Sequence, residues 1–317
     1  MLAGLVAVTS AVLILFASYP AAPGADWPWY RNGIERLIAG QPLYDPTWLA
    51  GPYDYLAPAN YFQFNQVPWL IPIVAPFAVL PEPIASWVWL AFTDAAMLLA
   101  LALVIPRWPP LVVIVLLSPP VLMSLAWGNT GALVALGVAL WISGQRHKSP
   151  ALETAGIVLA SLKVLPAIPL VLLALRARRW SAAIASALIA LVVSIAVSVL
   201  VGQNALEQFI RIAANIEPVL NRLNISPAAW LGASPTDYLV VRGIALVAVL
   251  LTMIRVKNDL AALALLELAC CFLATNPYVD WLVVPGLAIL AWAPVRRTVL
   301  RRAGSSVPLP RESSTRI

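Results

Sequence analysis

The chain has 317 residues, 62% of them hydrophobic and only 11% charged, with a mean hydropathy of +0.88. Soluble domains run about 45–50% apolar and about 25% charged, so a water-soluble fold of this size, which could not hide that much apolar surface, is excluded. The net charge of +6 does not mark a nucleic-acid binder, because the basic residues sit at the ends of apolar runs, where the positive-inside rule places them.

The apolar runs are long and continuous rather than alternating, which favours spanning helices over a barrel. The first, Leu2 to Ser18, reads as an uncleaved helix; a signal peptide competes, since Ala21-Ala22-Pro23-Gly24-Ala25 is small enough for cleavage, but no Arg or Lys precedes the run. A polar, aromatic stretch follows from Tyr19 to Gln66, carrying Asp26, Arg31, Glu35, Arg36, Asp45 and Asp54. Within it, Ile34 to Ala39 reads as part of a short amphipathic helix ending at Gly40, lying where Trp and Tyr favour the membrane interface.

Further apolar runs cover roughly 67–80, 84–105, 111–127, 131–143, 154–175, 180–201, 239–256, 260–274 and 279–293. Residues 202–238 form a second long polar loop whose 205–223 part is amphipathic, and 304–317 is a Ser-, Pro- and Arg-rich, disordered cytoplasmic tail. The expected architecture is all-α: one polytopic helix bundle over 1–303 with about 9–11 membrane segments, some broken or re-entrant. Its outer loops lie near 19–66 and 202–238.

Basic clusters at 146–148, 176–179, 255–257 and 296–302 are expected on the cytoplasmic side, which makes this a multi-pass protein of the plasma (inner) membrane with a cytoplasmic C-terminus. Two of these clusters flank the single run 154–175. The charge rule then requires that run to be a hairpin, broken near Lys163 and Pro166.

Several residues have the chemistry of a site. Asp26 follows the first helix at the outer surface; a carboxylate there can deprotonate an acceptor hydroxyl, or be an ordinary loop residue. Lys163, inside an apolar run, costs at least about 2.5–3.5 kcal/mol in hydrocarbon. It must face a cavity, bind phosphate as a point charge, or snorkel. Trp127-Gly128-Asn129-Thr130 is either a tight turn or a helix end aimed at a ligand. Asp94, Arg242 and Glu267 lie within apolar runs and pair across helices or line a pocket; Asn276 and Asp280 stand at an outer helix mouth. The adjacent Cys270 and Cys271 point in different directions on a helix and read as small core residues. No Walker A, GxSxG, HExxH or nucleotide fingerprint is present, so any substrate must arrive already activated.

The segment Asp26-Trp27-Pro28-Trp29-Tyr30-Arg31 through Gly40-Gln41-Pro42-Leu43-Tyr44-Asp45-Pro46 resembles the first outer loop of glycosyltransferase family 87. Trp127-Gly128-Asn129 resembles that family's GQxN element with the Gln missing, and Ser161 to Pro166 followed by Arg178-Arg179-Trp180 resembles its K-x-x-P…RRW element. The order and spacing agree over roughly residues 1–200.

The resemblance implies a GT-C type membrane glycosyltransferase that moves a sugar, commonly mannose, from a polyprenyl-phosphate donor to a lipid or glycan acceptor on the extracytoplasmic face. It implies no cofactor. By carry-over Asp26 would be the catalytic base and Lys163 the phosphate partner. Asn129, Tyr30, Arg31, Asn276 and Asp280 would line the pocket. The rival readings are a transporter or flippase, which shares broken helices and intramembrane charges, and a non-catalytic scaffold.

Overall fold

A computed structural model describes residues 24–49, 63–105, 118–215, 234–273 and 282–291. The first apolar run, the 296–302 basic cluster, the tail, and the helix mouth with Asn276 and Asp280 lie outside the described residues.

Among the described residues all regular secondary structure is helical. In order come α1 (Trp27–Ile38), α2 (Pro46–Leu49), a 3-10 turn (Pro68–Leu70), α3 (Ile71–Ala78), α4 (Glu82–Val104), α5 (Pro119–Trp127) and α6 (Gly131–His147). Then follow α7 (Pro150–Ala160), a 3-10 turn (Ser161–Lys163), α8 (Ala167–Arg176), α9 (Trp180–Val201), α10 (Ala205–Asn215), α11 (Pro235–Arg255) and α12 (Asp259–Leu273). Residues 283–291 are helical as well.

A chain with 28 prolines can still fold into helices where prolines sit at helix starts, although Pro76 lies inside α3. Proline occupies one of the first two positions of α1, α3, α4, α5, α7 and α11. There its missing N–H is not needed and its fixed φ suits the first turn. Ser149 caps α7, and Ser234 forms a reciprocal capping box with Asp237 at the start of α11. Gly40 ends α1 with φ +64°, as its position in the sequence predicts.

Three segments are long and apolar enough to cross a bilayer: Glu82–Val104, Trp180–Val201 and Thr236–Arg255. Their outward faces carry Trp87, Leu188, Val192, Leu250 and Ile254, all more than half exposed. An apolar surface of this extent is solvated by lipid, so this is a membrane protein.

The packing of the middle helices follows from glycine. A Cβ built on Gly144 would meet Glu153, one on Gly156 would meet Trp141, and one on Gly137 would meet the backbone of Ala160. These contacts fix α6 and α7 as antiparallel neighbours in close backbone contact. The chain then breaks at Ser161–Pro166 and returns as α8. The buried Glu153, near the start of α7, forms an ion pair with Arg179, just past the end of α8. Residues 150–179 are therefore a hairpin, as the charge rule requires. Its arms of 11 and 10 residues are about 15–17 Å long, half of a ~30 Å hydrocarbon core.

Arg176 closes the same end, pairing with Asp259 and donating to the Val256 carbonyl at 2.8 Å. Arg146 reaches the Leu103 and Ala291 carbonyls there as well, at 3.4 and 3.5 Å. Arg146, Arg176 and Arg179 thus gather at one end of the bundle, its basic end.

Arg179→Met will strand the Glu153 carboxylate, whose side chain is only 2% exposed. The expected loss is about 2–3 kcal/mol, below the fully buried range because Arg179 itself is about a third exposed. Adding Glu153→Gln should recover most of it, as read by residual monomer after heating in detergent.

Candidate functional site

A helix leaves its last carbonyls without partners, and the end of α5 shows how this chain fills them. Gly24 N–H donates to Ala126 O at 2.9 Å, Asp26 N–H to Trp127 O at 3.1 Å, and the Trp89 indole N–H to Gly128 O at 2.6 Å. Gly128 ends the helix with φ +62°. The backbone of Asp26 is thereby stitched to the α5–α6 corner, 100 residues away in sequence.

Tyr30, one turn further along α1, completes the joint. Its hydroxyl accepts from Thr130 N–H at 3.1 Å, which leaves its own proton for the Asp26 carboxylate at 3.4 Å. The ring packs edge-on against Trp89 at 5.4 Å, and Trp27 lies 5.7 Å from the same indole. Asn129 is 4% exposed. Its side-chain oxygen accepts from Gly131 N–H at 2.7 Å and from the Ser124 hydroxyl at 3.1 Å. Asn129 thus holds the Gly128–Gly131 turn between α5 and α6, with Thr130 at the N-cap of α6. Asp26, Tyr30 and Asn129 are thus brought together.

Arg31 does a different job. It pairs with Glu35 on its own helix and with Glu82 at the start of α4, and the Trp27 indole also reaches Glu82 at 3.4 Å. Its hydrogen bond to Glu35, with the charge of Glu82, raises its pKa further against the opposing effect of burial. The guanidinium clamps α1 to α4. Glu82 carries no motif, and with 51 residues between the partners the sequence could not have singled it out.

The rest of the outer lobe is clasped in the same way. Arg36 donates to Pro42 O at 2.7 Å and pairs with Asp45 at 3.3 Å. Burial raises the Asp45 carboxyl, but bonds from the Thr47 hydroxyl and amide, with the charge of Arg36, outweigh it and hold the group below its ordinary value. Phe64 N–H donates to Asn32 Oδ1 at 3.1 Å, and the Phe64 ring fills the space left by the missing side chain of Gly33.

Lys163 is half-buried in the 3-10 turn at the tip of the hairpin. The α6–α7 register pairs 144 with 153, 141 with 156 and 137 with 160. Continued, it brings Lys163 level with Val134, about one turn (~5 Å along the axis) past the start of α6. The lysine turn and the Asp26 corner therefore lie at the same end of the bundle, opposite the basic end. A second tie runs through the outer lobe: the Trp69 indole donates to the Ser161 hydroxyl at 3.0 Å. α10 packs over this region, with Phe209 6.5 Å from both Trp69 and Tyr44.

Asp94 is half-buried midway along α4, and Arg242 stacks on Tyr238 within α11 at 5.6 Å. Glu267 is 2% exposed in α12, with Oε1 lacking a hydrogen-bond partner among the described residues. Cys270 and Cys271 are both buried.

The molecule so described is a membrane protein, helical in all its regular structure among the described residues, with the Asp26 corner and the Lys163 turn at one end. The pattern of glycosyltransferase family 87 matches residues 68–285, more than half of the chain. The chain belongs to that family and is a membrane glycosyltransferase. The match takes in Asn129 and Lys163, extends past residue 200 where the motif resemblance ends, and leaves Asp26, Tyr30 and Arg31 before its start. No curated protein and no solved structure matches the chain.

Proposed function

We propose that this protein transfers a sugar, mannose in the first instance, from a polyprenyl-phosphate donor to a lipid or glycan acceptor on the extracytoplasmic face of the plasma membrane. The fold in this reading is of the GT-C type, with the basic end and the C-terminus cytoplasmic. The observation that supports the reading is the shared end of the bundle: one carboxylate joined to the end of α5 and one ammonium at the tip of the hairpin packed along α6, on segments far apart in sequence.

The chemistry follows from those two groups. The Asp26 carboxylate takes the proton of the acceptor hydroxyl, whose oxygen attacks the anomeric carbon of the donor sugar. The bond from that carbon to the phosphate oxygen breaks, and its electron pair leaves with the polyprenyl phosphate. The Lys163 ammonium offsets the charge that develops there. Tyr30, donating to Asp26, keeps the carboxylate aimed. Arg31, tied to Glu35 and Glu82, supports the pocket wall. Asn276 and Asp280, outside the described residues, remain assigned to the pocket rim by the resemblance alone. A lipid-linked donor already carries its leaving group, in keeping with the missing nucleotide fingerprint.

The test is transfer by the purified protein in lipid vesicles, with polyprenyl-phosphate mannose and nucleotide-linked mannose compared as donors. Transfer from the lipid-linked donor alone is expected. Lys163→Met should lower kcat/KM for that donor by about ten-fold or more, the worth of one charge-assisted hydrogen bond. Use of the nucleotide sugar instead, or an unchanged Lys163→Met, would overturn the donor assignment.

A further inference from the structure

The Ser161–Lys163 turn has no long helix of its own to hold it, since α7 ends at Ala160 and α8 begins at Ala167. What fixes it comes from 92 residues earlier in the chain. The Trp69 indole N–H donates to Ser161 Oγ at 3.0 Å, and Ser161 Oγ donates to Val158 O at 2.6 Å. A hydroxyl has one proton, and here Val158 takes it, so the lone pair facing Trp69 needs a donor. The indole N–H is donor-only and fits that need.

Trp69 is itself held firmly. It lies in a 3-10 turn opened by Pro68, between the buried Val67 and Leu70. Its ring meets Phe209 of α10 edge-on at 66°. The strap that leads into this turn is bonded to the outer lobe, where Tyr44 donates to Gln66 O at 2.7 Å.

We infer that Trp69 is a positioning residue for Lys163: its hydrogen bond to Ser161 fixes the lysine turn against the outer lobe that carries Asp26. The inference rests on the reading of Lys163 as the phosphate partner. Trp69 touches no reacting atom. It sets where the ammonium stands, and so how well a phosphate is recognised over the same chain without one.

The experiment uses the full-length protein in nanodiscs and two probes, farnesyl phosphate and farnesol. The quantity read is the ratio of their dissociation constants, which isolates the phosphate. In the wild type farnesyl phosphate binds more tightly, and Lys163→Met brings the ratio close to one. Trp69→Phe keeps a ring against Phe209 but removes the N–H. It should shrink the ratio about five-fold, the worth of one neutral hydrogen bond, with farnesol binding unchanged. Ser161→Ala removes the same bond from the other side without touching the aromatic packing and should match it. Combined with Lys163→Met, neither change should have any further effect.

If Trp69→Phe weakens both probes equally, or either single variant keeps the wild-type ratio while Lys163→Met loses it, the positioning role is wrong and the lysine reading stands. If Lys163→Met itself keeps the wild-type ratio, the lysine reading fails and the inference falls with it.

Discussion

Asp26→Asn will reduce sugar transfer by about 10²-fold or more while leaving the protein folded. A positioned general base contributes about 10²–10⁴-fold, and an amide cannot take the acceptor's proton. The substitution is nearly isosteric, and the contacts that dock this segment use the backbone: Asp26 N–H to Trp127 O and Gly24 N–H to Ala126 O. Tyr30 can donate to an amide oxygen as well as to a carboxylate. The loss should therefore fall on kcat, with the donor KM and the melting temperature close to wild type. Transfer at the wild-type rate would remove Asp26 from the chemistry and leave the acceptor without a base in this corner.

The second large effect is on stability, and it comes from the smallest possible change. A Cβ on Gly156 would lie 2.6 Å from the Gly137 carbonyl oxygen and 2.7 Å from the Trp141 nitrogen, both backbone atoms that cannot rotate away. Gly156→Ala must push α6 and α7 apart along their whole contact. We expect a loss of about 3 kcal/mol, the upper end of the overpacking range.

Because the α6–α7 register also sets the height of the Lys163 turn, donor affinity should fall together with stability. Gly243→Ala is the matched control. Among the described residues nothing lies within 4 Å of its added Cβ, and it sits inside α11, so it should be neutral or stabilising by up to about 1 kcal/mol. Thermal retention of the monomer in detergent separates the two. Equal melting of both variants would show that α6 and α7 are not packed backbone to backbone.

Much of the fold could be read from the residues one at a time. The apolar runs announced α4, α9 and α11 because burying a helix in lipid needs only length and apolar character, both local properties. The break near Lys163 and Pro166 was also legible, since two basic clusters flanking one run cannot be reconciled with a single crossing. Asp26 and Lys163 stood out because a charge beside or within hydrocarbon is expensive wherever it lies.

Position in the site was not legible in the same way. The roles of Trp69, Ser161 and Glu82 depend on partners 51 to 92 residues away, and nothing local in a Trp, a Ser or a Glu names such a partner. Arg31 and Asn129 show the same limit. Both had the chemistry of pocket residues, but the sequence could not name the partners the structure gives them, Glu35 and Glu82 for Arg31 and Gly131 N–H and Ser124 for Asn129.

The amino-acid sequence by itself determined that this chain lives in a membrane, where it must bend, and which few charges need explaining, because transfer free energy and proline geometry act residue by residue. Only the tertiary structure decided that the Asp26 corner and the Lys163 turn share one end. That depends on which unpaired carbonyls of α5 are filled by which distant N–H groups, and on how closely two glycine-lined helices can approach.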